Sequence, residues 1–368
     1  MKLKIALISL FFSSMFFIWG LGSGLYKWFP FFYLLEVKKF VLLDNETELN
    51  QKISIDNIHI QNHLNSINES SVLLKRNILY QKILKSNEKV IISKKKYKEN
   101  SDILTTKIYN NEVNAILTYS LKSKNCLNIY IQGHGGNPFN YLYHNQLLKF
   151  FINEGCDVLS MSMTGLGLNE GEFSYPSKHG IINLDIEMAR NHKNYAFFFD
   201  DKNPDLDPLT IFLKPHYDII KSLSSRYDNI SMIGISGGGW YTVWLSALIS
   251  EIDFSISYAG SLPIEYRKYD GVSGDWEQQN SQIYNFVSYW ELYKLMTIDD
   301  NKKQNRKSIL IYNDKDDCCF YNPYAEDFKF KIDSVNWKNL DIIIDKNDTH
   351  TMNVNLIKKL YKINYLKN

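Results

Sequence analysis

The sequence predicts an α/β fold, a mostly parallel central sheet with helices on both faces, preceded by an N-terminal membrane segment. Three observations lead there. From about residue 102 onward, short β-branched apolar runs alternate with stretches of helical periodicity, as in strands buried on both faces and joined by helical crossovers. One of these junctions is Gly234-Ile235-Ser236-Gly237-Gly238, whose strand-turn-helix context is the one that exposes a serine on a sharp elbow. Near the start, Ile5 to Leu25 carries no charge and follows Lys2 and Lys4.

Taken in order, the first element is the apolar stretch. At 1.5 Å per residue it would extend about 31 Å, against a bilayer core of roughly 30 Å. It passes into Tyr26, Trp28, Phe29, Phe31, Phe32 and Tyr33, the composition of an interfacial aromatic belt. Residues 1–35 are therefore expected to be a single-pass anchor, with Met1 to Lys4 inside and the remainder extracytoplasmic. The alternative is a cleaved signal peptide, with Ile5 to Trp19 as its apolar region and Gly20, Gly22, Ser23 and Gly24 around the cut, which would release a secreted or periplasmic protein. Residues 36–100 are polar and rich in Asn and Lys, and read as a partly helical linker with a helix over Val72 to Leu84. Lys94, Lys95, Lys96 and Lys98 read as a solvated loop.

The domain proper is expected over 101–368. Ile103 to Tyr109 and Ala115 to Leu121 read as an early strand pair, and Leu127 to Gln132 as a strand entering Gly133-His134-Gly135-Gly136. Leu147 to Asn153 is a helix pattern, Asp157 to Met163 a strand, Leu209 to Leu223 a helix, and Asn229 to Ile233 the strand before the elbow. Trp240, Val243, Trp244, Ala247 and Leu248 then recur at helical spacing. Strands follow at Phe254 to Tyr258, Ser308 to Tyr312 and Leu340 to Ile344, with a terminal helix over Val354 to Ile363. Two insertions are expected, near 169–208 and 260–306. The second is rich in Tyr and Trp and contains Asp275, Trp276 and Glu277, and is expected to form a lid or pocket wall.

Composition narrows the function. The 368 residues hold 45% hydrophobic side chains, enough for a sizeable core, and 42 Lys and Arg against 40 Asp and Glu give a net charge of +2, which offers no field for nucleic acid. Four cysteines without a Cys-x-x-Cys pair or a His-rich tract give no zinc spacing, and no metal is assigned. Cys126 and Cys156 each open a strand; adjacent parallel strands would bring them to one edge as a disulfide, although small buried thiols suit the pattern equally. Gly165-Leu166-Gly167 fails as a dinucleotide fingerprint because Glu170 stands where the third glycine belongs. It reads as a tight turn, and no cofactor is expected.

A serine hydroxyl needs a base and a group to orient that base. The strand ending at Tyr312 exits into Asp314, Asp316 and Asp317, and the strand ending at Ile344 exits into the loop holding His350. Both exits lie at the carboxyl edge of a parallel sheet, where Ser236 also sits. Gly237 follows the serine and can offer an N–H to a developing oxyanion, and the Gly133-His134-Gly135-Gly136 loop can supply a second.

With these residues in place, 103–365 resembles the α/β-hydrolase superfamily, in which the chain order is serine, acid, histidine. The resemblance is carried by Gly133-His134-Gly135-Gly136, Gly165-Leu166-Gly167, Gly234-Ile235-Ser236-Gly237-Gly238, Asp316 and His350. It implies Ser236 as nucleophile, Asp316 as orienting acid, His350 as base, and Gly237 with Gly136 and the adjoining Gly135 as oxyanion donors. The activity it implies is hydrolysis of a small-molecule ester or acylated substrate through an acyl-enzyme. A prolyl-oligopeptidase-like serine peptidase and a noncatalytic hydrolase-fold binding module are the alternatives.

Overall fold

The computed structural model describes residues 59–85, 90–109, 111–122, 124–171, 173–177, 180–184, 209–267, 275–278, 281–298, 306–316, 318–320 and 324–365. The chain divides into two compact units, Met1–His63 and Leu64–Asn368. Of the first, only 59–63 are described, and they are helical. The expected membrane segment, its aromatic belt and most of the expected linker lie outside the described residues. Among the described residues no helix is long and apolar enough to cross a membrane.

Among the described residues, the second unit is built on a nine-stranded sheet in the order β1-β2-β3-β5-β4-β8-β9-β10-β11. The strands are β1 Ser93–Lys98, β2 Ser101–Ile108, β3 Asn111–Thr118, β4 Cys126–Gln132, β5 Asp157–Ser162, β8 Asn229–Ile235, β9 Phe254–Tyr258, β10 Lys307–Asn313 and β11 Leu340–Asp345. β1, β2, β3 and β5 pair antiparallel. From β5 through β4, β8, β9 and β10 to β11 every pairing is parallel. All residues of β4 and β5 are buried, as are all but the first of β8, as expected of parallel strands covered on both faces. A separate hairpin, β6 Phe173–Ser177 and β7 Gly180–Leu184, lies in the first insertion. The Asn111 side chain holds it, accepting from the Ser174 N–H at 2.6 Å and donating to the Ser174 carbonyl at 2.7 Å.

The helices that matter here are α1 Glu69–Leu79, α2 Leu142–Glu154, α3 Leu209–Ser224, α4 Gly237–Leu248, α5 Tyr289–Leu295, α6 Tyr324–Val335 and α7 Val354–Asn364. Every residue of α4 is buried, so this helix is a core element, consistent with apolar residues on all its faces. Its C-terminal carbonyls are capped by two buried arginines. Arg306 donates from Nε to Ile252 (2.9 Å), from Nη1 to Leu295 (3.2 Å) and Ile298 (2.7 Å), and from Nη2 to Ile249 (3.1 Å) and Ser246. All five guanidinium N–H bonds are thereby used, and the charge rests against the negative ends of α4 and α5. Arg76 of α1 adds bonds to Ala247 and Leu295, both at 2.7 Å, while Lys75 pairs with Glu291 of α5 at 2.7 Å.

These contacts correct two expectations. Residues 64–100 belong to the compact unit rather than to a linker, because Arg76 and Lys75 fasten α1 to α4 and α5. The lysine run is not a loop but the edge strand β1, exposed along its whole length; edge lysines discourage pairing with another sheet. The remaining strand and helix expectations agree with the structure to within a few residues.

Cys126 and Cys156 are bridged, with Cα atoms 4.8 Å apart. The register that sets Leu127 beside Asp157 makes them neighbours one step earlier. Cys318 and Cys319 form the second bridge, leaving no free cysteine. Nonreducing peptide mapping should recover Cys126 linked to Cys156. Closing a loop of this size contributes about 3–4 kcal/mol, so a double alanine variant should lose that much unfolding free energy in a urea titration.

Candidate active site

Ser236 stands between the last residue of β8 and the first of α4 with φ 56° and ψ −127°. A non-glycine residue there costs on the order of 1–3 kcal/mol and persists only where its surroundings fix it. They do so closely. A Cβ at Gly234 would lie 2.1 Å from the Gly238 carbonyl oxygen, and one at Gly238 would lie 2.1 Å from the Ile131 carbonyl oxygen of β4. The elbow can therefore turn only with glycine at both positions. The Ser236 N–H donates to the Tyr258 carbonyl at 2.9 Å, and its carbonyl accepts from the Trp240 N–H at 3.0 Å. The N-terminal end of α4 is thus held at the serine, its positive dipole end suited to developing negative charge.

The acid and the histidine come together as the sequence indicated. His350 Nδ1 lies 2.9 Å and 2.8 Å from the two carboxylate oxygens of Asp316, whose side chain is fully buried while that of His350 is 20% exposed. Asp316 Oδ1 also accepts the N–H groups of Cys318 and Cys319, each at 2.9 Å. Burial opposes ionisation of Asp316, but the bond and charge of His350 and these two N–H groups outweigh it and hold the pKa below its usual value. Asp314, an alternative acid in the sequence, is half-buried on the same loop; Asp317 lies outside the described residues.

The two loops meet because their backbones stay paired beyond the strand ends. The Asp314 N–H donates to the Asp345 carbonyl at 2.8 Å, and the Lys315 N–H to the Asn347 carbonyl at 3.3 Å. Asn313, fully buried at the end of β10, completes the clasp. Its Nδ2 lies 3.2 Å from Asp316 Oδ2, 2.8 Å from the Thr349 carbonyl and 3.3 Å from the Thr351 carbonyl, so it holds both flanks of His350 and the acid. Its Oδ1 accepts from the Tyr258 hydroxyl at 2.9 Å, and the same hydroxyl lies 2.7 Å from Asp345 Oδ2. Sequence reasoning missed Asn313 and Tyr258. The available signal was an asparagine ending a strand immediately before an acidic cluster.

The other described histidines of this unit outside the glycine loop are structural. His144 bonds to Ser160 at 2.9 Å and His216 to the Phe212 and Ser162 carbonyls at 2.9 and 2.8 Å. Burial lowers both pKa values to about 4, so both rings are neutral near pH 7. His179 and His192 lie outside the described residues.

In the glycine loop, Gly133 adjoins the elbow: a Cβ there would lie 2.8 Å from Ser236 Cβ and 3.0 Å from the Gly237 nitrogen. The Gly136 N–H, expected as an oxyanion donor, instead donates to the Gly133 carbonyl at 3.1 Å. That bond closes a turn within the loop. The Gly165-Leu166-Gly167 turn packs against the loop, since a Cβ on Gly167 would lie 2.3 Å from the Gly136 carbonyl carbon.

The described part of the second insertion is a packed wall rather than a detached lid. Tyr284 Oη accepts from Trp240 Nε1 (2.9 Å) and Trp244 Nε1 (3.1 Å) and donates to the Glu277 carbonyl (3.1 Å). That fills the bonding capacity of one hydroxyl, so Tyr289, whose Oη lies 2.9 Å away, donates to the Gln278 carbonyl at 3.0 Å. Among the described residues two clusters have possible metal-ligand atoms within 4.8 Å of one another, Asp316 with Cys318 and His350, and His134 with Asp275 and Glu277. In the first the sulfur is bridged and offers no thiolate; in the second His134 and Asp275 already pair at 2.9 Å.

Asp316 also ties the site to acid stability. Because its pKa is depressed in the folded state, its contribution is complete above an unfolded value of about 3.9 and is lost as pH falls through the folded value. Urea unfolding between pH 6 and pH 2 should show Asp316→Asn less stable than the native chain at pH 6, with the gap narrowing below about pH 4.

No protein-family model matches the sequence, and no curated protein matches it. Among solved structures the chain is similar to Est1E from Butyrivibrio proteoclasticus, with TM-score 0.47 and 13% identity over 72% of this chain and 98% of that one. It is also similar to acetyl xylan esterase 1 from Thermoanaerobacterium sp. JW/SL YS485, with TM-score 0.46 and 14% identity over 79% and 93% of the two chains. A further likeness is to an acylaminoacyl peptidase from Pyrococcus horikoshii, with TM-score 0.45 and 14% identity, spanning 78% of this chain and 42% of that one. With a parallel sheet from β5 to β11, a serine on the elbow between β8 and α4, and serine, aspartate and histidine following in that order, the chain has the α/β-hydrolase fold.

Proposed function

We propose that the protein is a serine hydrolase that cleaves a carboxylic ester or acylated small molecule through an acyl-enzyme. The observation that supports this most is the Asp316–His350 pair at the carboxyl edge of the sheet that carries the strained Ser236 elbow. In this reading Asp316 accepts the His350 Nδ1–H, which fixes the tautomer and leaves Nε2 as base. Ser236 Oγ attacks the ester carbonyl as His350 takes its proton, and the peptide N–H of Gly237, together with one from the glycine loop, receives the oxyanion. His350 then protonates the departing alcohol. Water attacks the acyl group by the same route in reverse, releasing the acid and restoring the serine.

We further propose that Ile5 to Leu25 anchors the chain with its hydrolase unit outside the cytoplasm. Its uncharged length and the aromatic residues after it favour a span, and two disulfides in one chain suit an oxidising compartment.

A fluorophosphonate should label Ser236, and chromogenic esters of increasing acyl length should be cleaved faster than the matching anilides. Ser236→Ala and His350→Ala should each lower kcat/KM by about 10⁴-fold or more, and the double variant should be little worse than either, because such residues act as a unit. Losses that multiply would refute a shared mechanism. For the anchor, the hydrolase unit should stay with membranes through alkaline carbonate extraction and be cut by protease only from the outer side. Recovery in a soluble extract with a new N-terminus near Leu25 would show cleavage instead.

A further inference from the structure

His134 joins two parts of the chain that are far apart in sequence. On one side its ring lies against Gly237, the residue after the serine: a Cβ on Gly237 would fall 2.9 Å from His134 Cε1. On the other, His134 Nε2 pairs with Asp275 Oδ2 at 2.9 Å. Asp275 belongs to the second insertion, two residues before Glu277, whose carbonyl is tied through Tyr284 to Trp240 and Trp244 of α4. A closed circuit results, running from the elbow helix through the insertion to the glycine loop and back to the elbow.

The rest of that loop is held piece by piece. The Gly135 carbonyl accepts from the Tyr141 hydroxyl at 2.9 Å, and the Gly136 carbonyl from Ser162 Oγ at 3.0 Å. The ring of His134 is held by the insertion. Burial disfavours charge on it, but the bond to Asp275 and the charges of Asp275 and Glu277 outweigh this and raise its pKa, which strengthens the pairing.

We propose that Asp275 is a positioning residue of the serine hydrolase: by holding the His134 imidazole against Gly237 it keeps the glycine loop seated beside the elbow, so that the insertion sets the geometry in which the Gly237 N–H meets a developing oxyanion. The proposal rests on the reading of Ser236 as nucleophile. Its physical basis is that donors stabilise a developing oxyanion only when already in place, and that a displacement of about 1 Å can cost about 10²-fold in rate. Glycines on both sides of His134 give the backbone little rigidity of its own.

The test is steady-state hydrolysis of p-nitrophenyl acetate, whose small acyl group draws little on pocket contacts. Asp275→Asn keeps the side-chain shape but removes the charge. It should lower kcat by about 10- to 100-fold with KM changed less than about threefold, and leave the melting temperature nearly unaltered. His134→Gln should give a similar loss, and the double variant should be no worse than the poorer single, as expected of residues acting through one contact. Asp275→Glu, which restores the charge, should recover most of the rate and gives an independent comparison if the asparagine variant folds poorly. Native kcat in Asp275→Asn, a change confined to KM, or losses that multiply in the double variant would overturn the proposal. Failure of the native chain to react with fluorophosphonate at Ser236 would defeat the hydrolase reading itself, whereas labelling at the native rate in Asp275→Asn together with native turnover would defeat only this one.

Discussion

The site depends on how closely the first turn of α4 lies against the strands beneath it. Gly238 touches the backbone of β4, Gly239 would place a Cβ 2.7 Å from Gly260 Cα just beyond β9, and Gly234 meets the helix from below. There is no room for a side chain at any of the three. Only this approach lets Ser236 take a positive φ between a buried strand and a buried helix, and the bond from its N–H to Tyr258 holds it there. A strained residue is kept by its neighbours rather than by its own preference, and α4 is correspondingly buried on every side.

What backs that helix is unusually polar for a core. Trp240 and Trp244 present ring N–H groups to one tyrosine hydroxyl in the insertion, and two arginines close the far end of the helix. Each buried donor in this set that would otherwise cost desolvation energy finds an acceptor. The insertion therefore works as structure for the elbow and, by the same bonds, carries Asp275 to the glycine loop. The edge of the sheet has a comparable arrangement, in which Tyr258 and Asn313 join the ends of three successive parallel strands to the loop of His350.

Much of this was legible in the sequence. Phe254 to Tyr258 is a strand with the expected bounds, the elbow falls where Gly-x-Ser-x-Gly placed it, and Asp316 meets His350. These are local signals: a run of β-branched residues, a glycine spacing that a tight turn demands, a carboxylate or imidazole just past a strand end. The exposed strand β1 and the hairpin β6-β7 were not legible, because one is held by pairing to β2 and the other by Asn111, not by apolar periodicity. Arg76 is one charge in a polar, Asn- and Lys-rich segment, and nothing nearby in sequence shows that it reaches Ala247 and Leu295.

The sequence by itself determined the alternation of strands and helices, the position of the elbow serine, and the order of serine, aspartate and histidine, since each rests on signals local to a strand, a turn or a strand exit. Tertiary structure alone decided that Asn313 and Tyr258 clasp the acid and histidine loops, that the Gly136 N–H closes a turn on Gly133, and that the insertion reaches back to His134. Those outcomes turn on parallel pairing, which sets distant strand ends side by side, and on hydrogen bonds between groups far apart along the chain. Their geometry exists only once the sheet has assembled, because no local preference encodes the register that brings them together.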